Sequence, residues 1–371
     1  MVIVETDSSN FFFDRVLTKM SKINVPGYIS SEFINSEGKK VFERVVFLPE
    51  DFFLEMENSI IREYGDRGKN DLYCIGKKFG YRFALLFNFS GTDIKKSLSI
   101  ILKFLEALYA EKITIKEINL NNKTIVIDTK EMVITSKNGH GYILPLGGFA
   151  GICSYLLKDN FIWCRSTKVA DGIYELTSSP KTSVDKIEFD IDCEMDLERV
   201  DDNYEVYNSS NIKDDNQLNM QKLVEFGILT YEKGKLNMFS VFRMVPIEIF
   251  LLYSMEMLDE NIIFQACYNI FYKISTFVVN KKIDPKTYIA QILTALGFGI
   301  VIVVVNKERL VFNFTGYPWM PEERGRKFSI IKGIIIGFIN GGSGKKIDLD
   351  RVEYKLVDKD YLLTLEFVYV N

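Results

Sequence analysis

The sequence predicts an α+β protein made of two tandem copies of one module, each combining an antiparallel sheet with helices. The chain has 371 residues, and single hydrophobic cores stop growing at about 250 to 300 residues. Hydrophobic residues make up 47% and charged residues 26% of it, the balance of a globular protein with a sizeable core. The same order of patterns occurs twice, which indicates a duplicated domain.

An acidic segment separates the two copies. Residues 185–216 are rich in Asp, Glu, Asn and Ser, and their second half is poor in large aliphatic clusters. This composition is typical of a linker. We therefore expect a first module over residues 1–184, the linker over 185–216 and a second module over 217–371.

Each half opens with a pair of glycine-led strands and then an apolar strand that reaches a proline. The prolines are Pro49 and Pro246. Because proline suits the first turn of a helix, where its missing N–H would have no partner, we expect a helix to begin at each.

Helices and hairpins follow in the same order in both halves. Leu72, Ile75, Phe79 and Phe83 recur at helical spacing, which predicts a helix with one buried stripe. A third helix, two strands, a glycine-rich helix and two more strands follow in each half. The run 296–305 (LGFGIVIVVV) is too short for a membrane helix and is rich in β-branched residues, so we interpret it as a buried strand.

Charge and cysteine usage narrow the class of protein. A formal net charge of -4 argues against nucleic-acid binding by bulk electrostatics. The five cysteines are scattered and odd in number, unlike a secreted disulfide framework. The first residues do not have the pattern of a secretory signal. We therefore expect a cytoplasmic protein without a membrane span.

Several segments together resemble a known family. They are LYCIGKKFGYRFA (72–84), the glycine-rich helix around 333–341, the Gly-Lys-Lys turn at 344–346, and the strands IDLDRVEYKLV and DKDYLLTLEFVYV. They are similar to the 4-vinyl reductase domain, in both halves of the chain. The resemblance implies a sensor for small apolar or aromatic molecules, related in fold to nitric-oxide-binding haem domains and to TRAPP vesicle-tethering subunits.

One departure from that family concerns metal. Many members carry cysteines in the last two strands, where relatives that sense aromatics hold zinc. The matching stretches here are 166–168 and 172–174, then 353–355 and 361–363, and none contains cysteine. Because zinc sites of this kind need thiolate ligands, we expect no metal and no cofactor.

The resemblance implies that aromatic residues on the helices line an apolar ligand cavity. In the first half these residues are Phe79, Phe83 and Phe104, and in the second half they are Phe271 and Tyr272. Aromatic stripes at this spacing also occur in ordinary cores, and the sequence leaves both interpretations open.

Two features are candidates for contact with a partner chain or for self-association. Gly333, Gly337 and Gly341 form one stripe of a helix, which allows close backbone approach to another chain or tight packing within the domain. Trp319, followed in the same loop by Arg324 and Arg326, forms either an aromatic anchor with a cationic rim or ordinary loop packing around a buried tryptophan.

Catalytic patterns are weak. The one histidine, His140, lies between glycines, which favours an exposed loop over a catalytic or haem-ligating role. Asp190, Asp192, Glu194 and Asp196 alternate as a solvated linker face would, without the glycine turn of a calcium loop. The GGSGKK segment at 341–346 has the wrong context for a phosphate loop. We therefore expect no enzyme.

Two hypotheses remain from different classes. The first is a non-enzymatic sensor that binds a small apolar ligand and relays the change to a partner. The second is a scaffold or adaptor whose duplicated modules dock a protein or ribonucleoprotein complex.

Overall fold

The computed structural model describes most of the chain. The described residues are 20–21, 25–35, 38–88, 93–133, 143–181, 219–232, 235–256, 258–279, 285–306, 308–319, 328–357 and 360–370. The predicted linker, His140, the acidic group 190–196, Arg324 and Arg326 lie outside these residues.

Helices and strands alternate in blocks along the chain. The helices are α1 (Glu50–Tyr64), α2 (Asp66–Phe87), α3 (Ile94–Tyr109), α4 (Ile143–Leu157), α5 (Met220–Glu225), α6 (Ile249–Glu256), α7 (Glu260–Val279), α8 (Pro285–Ala295) and α9 (Ser329–Ser343). The strands are β1 (Met20–Ser21), β2 (Ile29–Ile34), β3 (Lys40–Pro49), β4 (Lys112–Asn119), β5 (Thr124–Lys130), β6 (Ile162–Ala170), β7 (Ile173–Pro180), β8 (Leu229–Glu232), β9 (Lys235–Met238), β10 (Phe242–Glu248), β11 (Ile300–Val305), β12 (Arg309–Thr315), β13 (Lys346–Val357) and β14 (Asp360–Val370).

The chain divides into two compact units. The first unit comprises the described parts of Glu32–Phe42 and Phe53–Asp201. Its four-stranded antiparallel sheet has the order β4-β5-β7-β6. Alternate residues of β5 and β7 are buried, as expected of a sheet with one face on a core. Helices α2, α3 and α4 supply most of the remaining core.

The second unit comprises the described parts of Met1–Ser31, Glu43–Phe52 and Asp202–Asn371. Its sheet β11-β12-β14-β13 repeats the strand order of the first unit. A second sheet, β1-β2-β3-β10-β9-β8, has six strands, and β3 pairs with β10 in antiparallel register. The predicted α+β class is confirmed. The duplication and its boundaries stay predictions, although from β1 in the first half and from β8 in the second half the order of the described helices and strands is the same.

The two prolines differ in their positions. Pro49 ends β3, and α1 begins at Glu50, as the sequence predicted. Pro246 instead lies inside β10, and α6 begins only at Ile249, so the predicted helix start there was wrong. The strand continues because β9 pairs with β10 only over Phe242–Met244, while Pro246 pairs with β3 alone. The backbone N–H that Pro246 lacks would therefore have made no hydrogen bond to β9.

A buried arginine ties three turns of the second unit together. Arg44 on β3 is fully buried, and its guanidinium donates to the carbonyl oxygens of Gly27, Gly297 and Gly316 at 2.9, 3.1 and 2.7 Å. It also lies 5.0 Å from the centre of the Tyr28 ring. Charge-assisted bonds of this kind compensate the cost of burying the cation.

Glycines bring one helix pair of each unit into close contact. In the first unit, a Cβ at Gly76 would overlap the carbonyl oxygen of Leu144, and a Cβ at Gly147 would overlap that of Tyr73. Helices α2 and α4 therefore approach through backbone. Helix α9 packs on α7 in the same manner, as shown below for Gly333, Gly337 and Gly341.

The interpretation of residues 296–305 as a wholly buried strand was wrong. Only Ile300 to Val305 form a strand, and Ile302, Val304 and Val305 are 54%, 51% and 47% exposed. The strand lies at the edge of its sheet, so it has a neighbour on one side only. Within the described part of the chain, no helix combines the length and the apolar character needed to span a membrane.

Candidate functional site

A half-buried glutamate, Glu256, holds the first turn of α9 in the second unit. The Oε1 atom of Glu256, the last residue of α6, accepts a hydrogen bond from the Ile330 N–H at 3.0 Å. Phe328, the residue before α9, makes no side-chain cap. Because the first N–H groups of a helix lack intrahelical partners and carry partial positive charge, the carboxylate of Glu256 supplies the missing acceptor.

The second oxygen of Glu256 accepts a hydrogen bond from an indole. Trp319 Nε1 donates to Glu256 Oε2 at 3.1 Å, and Trp319 is only 1% exposed. Its ring centre lies 4.7 Å from that of Tyr317 and 6.3 Å from that of Phe298. This carboxylate thus has both oxygens engaged, one by a helix and one by an aromatic N–H donor inside an apolar cluster.

Tyr317 completes that cluster. Its ring packs edge-on against Phe314 and Phe328, with centres 5.5 and 5.7 Å away. Burial raises the pKa of Tyr317 well above its ordinary 10.0, and the nearby Glu256 raises it further. The hydroxyl therefore stays protonated, as a neutral part of the core.

The first unit has a comparable glutamate with one oxygen unused. Glu57 on α1 is fully buried, and its Oε1 accepts from the Ile143 N–H at 3.2 Å, in the first turn of α4. Its Oε2 is buried and has no hydrogen-bond partner in the structure. The stretch 131–142, which precedes α4 as the Trp319 stretch precedes α9, contains no tryptophan.

Burial dominates the chemistry of Glu57. Desolvation raises the pKa of Glu57 from 4.5 to about 7, although hydrogen bonds from the Ile143 and Leu144 N–H groups lower it. Near neutral pH the carboxyl group therefore exists in both protonation states. Ionised, its free oxygen accepts a hydrogen bond; protonated, it donates one.

Glu57 was not among the residues predicted from the sequence, although a signal was present. Phe53, Met56 and Ile60 form the buried face of α1, and Glu57 occupies a position on that face. A carboxylate on an apolar helical stripe is unusual, because burying an unpaired charge is costly. This combination marks a candidate site before any coordinates are known.

A polar layer lies between α2 and the strand β6. The Tyr73 hydroxyl accepts from the Cys164 N–H at 2.8 Å, and Lys77 Nζ donates to the Asn160 carbonyl oxygen at 2.6 Å. Desolvation lowers the pKa of Lys77 to about 8, although the nearby Asp159 raises it. Both side chains hold the segment that follows α4, so we assign them a structural role.

The buried thiols of the first unit are poor nucleophiles. Burial raises the pKa of Cys153 to about 12 and that of Cys164 well above its ordinary 9.0. Because the thiolate is the reactive form, neither is activated near neutral pH. Among the described residues, no group of three or more His, Cys, Asp or Glu side chains is arranged to hold a metal ion.

The aromatic residues predicted to line a ligand cavity contact each other in the first unit but are placed differently in the second. In the first, Phe79, Phe83 and Phe104 do meet: the Phe83 ring centre is 6.1 Å from that of Phe79 and 5.4 Å from that of Phe104. Phe271 is buried in the second unit, whereas Tyr272 is 42% exposed, so these two do not line one internal cavity. A ligand role for the first-unit rings stays a prediction.

The residues proposed for partner contact lie mostly inside the second unit. A Cβ at Gly333, Gly337 or Gly341 would overlap backbone of α7, so this stripe serves helix packing within the unit. Trp319 is buried, which excludes an exposed anchor and agrees with the alternative of loop packing around a tryptophan. The remaining candidates, Arg324 and Arg326, lie outside the described residues.

Comparisons with known proteins give a distant structural likeness. No protein-family model matches the chain, and no curated protein matches it. The chain is similar to a solved structure titled "crystal structure of the phenol-responsive sensory domain of the transcription activator PoxR with Phenol", at 13% identity and a TM-score of 0.33. The match covers 47% of this chain and 91% of that one. At this level the likeness supports no argument about function, and membership of the 4-vinyl reductase family stays a prediction.

Proposed function

We propose that the protein is a non-enzymatic regulatory protein whose first unit binds a small, mainly apolar molecule that carries one N–H or O–H group. The observation that carries this proposal is the contrast between Glu57 and Glu256. Both accept a backbone N–H at the start of a glycine-rich helix, but only Glu256 also receives an aromatic N–H.

Energetics favour a partner for the free oxygen of Glu57. Leaving a buried polar group unpaired costs about 1 to 3 kcal/mol, and more for a charged group. A molecule that donates one hydrogen bond to Oε2 recovers much of this cost. In the second unit the chain's own Trp319 meets the same need, so the second unit provides a pattern for the ligand chemistry.

The surroundings of Glu57 define the rest of the ligand. Its neighbours on the buried face of α1 are Phe53, Met56 and Ile60, which offer only apolar contact. Small-molecule sites commonly combine such a lining with a few oriented polar groups. An aromatic molecule with a single donor, such as a phenol or an indole, fits this description.

Glu57 also supplies a link between ligand and helix. Its other oxygen holds the first turn of α4, which packs through glycines on α2. A ligand that favours the ionised form of Glu57 strengthens the bond to the helix, because charge-assisted hydrogen bonds are stronger than neutral ones. We propose that this change at α4 is relayed to a partner.

The scaffold hypothesis has lost two of the observations that motivated it. It was based on the missing cysteines, on the Trp319 loop and on the glycine stripe, and both Trp319 and the glycine stripe are packed inside the second unit. The absence of catalysis is part of the proposal, and it is supported by the buried, protonated state of Cys153 and Cys164.

Calorimetric titration with matched probes tests the proposal. The probes are indole and phenol, which carry a donor, and toluene, which does not. The variants are Glu57→Gln, which places an amide NH₂ where the free oxygen stood, and Glu256→Gln as the matched control. We expect the wild-type chain to bind indole and phenol more tightly than toluene, by about tenfold, the value of one hydrogen bond of about 1.4 kcal/mol.

The two variants are expected to differ. Glu57→Gln should lose the preference for donor probes and keep its affinity for toluene, whereas Glu256→Gln should bind all three as the wild type does. Failure of all three probes to bind the wild type would overturn the proposal. A ligand-free protein that co-purifies with a protein or ribonucleoprotein would favour the scaffold instead.

A further inference from the structure

Within the part of the chain that the structure describes, strand β11 forms an uncovered sheet edge of the second unit. It forms one end of the sheet β11-β12-β14-β13 and contains six β-branched residues without a charge. Ile302, Val304 and Val305 are about half exposed. Edge strands of this kind pair with other strands unless charges, bulges or coverage prevent it.

The hydrogen bonds around β11 identify which backbone groups are free to pair. The Asn306 N–H donates to the Arg309 carbonyl oxygen at the hairpin turn. Along a strand of an antiparallel pair, the backbone N–H and C=O groups of successive residues point alternately toward the partner strand and away from it. The backbone groups of residues 304 and 302 therefore bond to β12, and those of residues 305, 303 and 301 point away from β12. The Val301 N–H is already bonded to Thr294 Oγ1 at 2.9 Å. Among the described residues, none bonds to the outward edge at Val303 and Val305, on either side of Val304.

The corresponding edge of the first unit is protected. Strand β4 has a bulge between Ile115 and Glu117, at Lys116, in its pairing with β5. Lys116 forms ion pairs with Asp128 and Glu175 at 3.0 and 3.1 Å. Bulges and lysines are two common means of preventing edge pairing.

Aligning the two hairpins shows what β11 lacks. Ile115 pairs with Ile127 in β5, and Val303 pairs with Phe312 in β12, at equivalent places in the two sheets. Glu117, opposite Val126, therefore corresponds to Val304, opposite Val311, and Lys116 is the extra residue of the bulge. The register of β11 against β12 runs without interruption from Ile300 to Val305. One sheet edge has both protective features and the other has neither.

We propose that β11 pairs with β11 of a second copy of this chain, antiparallel, about a two-fold axis at Val304. In this register Val303 of each copy faces Val305 of the other, and each such pair makes two backbone hydrogen bonds. The open groups lie symmetrically about Val304, so an identical strand satisfies all of them. The uncharged edge also offers no attraction for a charged partner. A two-fold interface uses the same patch on both chains, as this strand allows.

Six residues of strand bury less surface than a standard stable interface of about 1,600 Å². The association is therefore concentration-dependent.

Sedimentation velocity over a wide range of chain concentration is the first test. We expect the mass to rise from 42.9 kDa toward twice that value. Val304→Lys should raise the dissociation constant at least about tenfold, because like charges would face each other across the axis. The fold should tolerate this change, since Val304 is 51% exposed. Val241→Lys, which adds the same charge at another half-exposed valine of the second unit, is the control and should dimerise as the wild type does.

Cysteine cross-linking tests the register. Val304→Cys should form a disulfide-linked dimer, because directly opposite Cα atoms of a non-hydrogen-bonded pair lie about 4.5 Å apart. Ile302→Cys should not, because its two copies would lie four residues apart along the strands, about 13 Å.

A wild-type chain that stays monomeric at all concentrations, or a Val304→Lys chain that dimerises normally, would overturn the proposal. Equal cross-linking of both cysteine variants would do so as well. None of these results depends on ligand binding at Glu57.

Discussion

Replacing Glu57 with Gln should change how the stability of the protein depends on pH. Glutamine has nearly the same shape and keeps a carbonyl oxygen for the Ile143 N–H. Its NH₂ group takes the place of the free oxygen, so the variant imitates the protonated carboxyl group at every pH. The wild type and the variant should therefore behave alike in acid and differ near neutrality.

The magnitude follows from the pKa of Glu57 in the two states. It is about 7 in the folded protein, against the ordinary 4.5 expected in the unfolded chain. Below 4.5 both states are protonated, and the stabilising contribution of the protonated group is fully present. As pH rises from there to about 7, the unfolded chain ionises first and the contribution is lost. A difference of this size corresponds to about 3 kcal/mol.

Denaturant unfolding at about pH 5 and about pH 8 measures this effect. We expect Glu57→Gln to gain about 2.5 kcal/mol over the wild type between the lower and the higher pH, because part of the loss in the wild type has already occurred at pH 5. Glu63→Gln, which neutralises an exposed carboxylate on the same helix, is the control and should gain far less. An equal difference between Glu57→Gln and wild type at both pH values would refute the reasoning, because it would mean that Glu57 is not desolvated in the folded state.

Three further predictions concern packing and buried bonds, and denaturant unfolding measures each. Glu256→Gln should destabilise the second unit by about 1 to 3 kcal/mol, since its amide NH₂ must face either the Trp319 N–H or a helix N–H; unchanged unfolding and tryptophan emission would contradict this. Gly337→Ala should lower the free energy of unfolding by about 1 to 3 kcal/mol, because its methyl group overlaps α7. Gly148→Ala is the control: the nearest neighbour of its methyl group is 3.8 Å away, so the change should be neutral or should stabilise the protein by up to about 1 kcal/mol. Equal effects of the two substitutions would contradict this explanation of the helix packing. Arg44→Met should cost about 3 kcal/mol or more by leaving three carbonyl groups without their donor; a stable variant would show that water replaces those bonds.

The sequence predicted the order of elements because local patterns determine it. Of the predicted stripe on α2, Leu72 and Phe83 are buried and Ile75 and Phe79 are half-buried. Pro49 marks the boundary between β3 and α1. Pro246 misled the prediction because its effect depends on where β9 stops pairing, which is a tertiary fact. The prediction for residues 296–305 was wrong because an apolar strand has the same sequence pattern at the edge of a sheet as in its middle.

The candidate site was harder to predict. Glycine periodicity in α9 indicates a close contact, but it does not say whether the neighbour is α7 or another chain. Trp319 and Glu256 are 63 residues apart, so no local pattern connects them. The importance of Glu57 depends on one oxygen without a partner, which only the three-dimensional arrangement reveals.

Native mass spectrometry of the wild-type chain, under gentle and then denaturing conditions, tests the central claim most directly. The account predicts a small molecule that is released on denaturation, that carries an N–H or O–H group on an apolar body, and that is lost or depleted in Glu57→Gln protein prepared in parallel. The same ligand retained equally by both proteins, or a mass equal to the bare chain in both under gentle conditions, would contradict it.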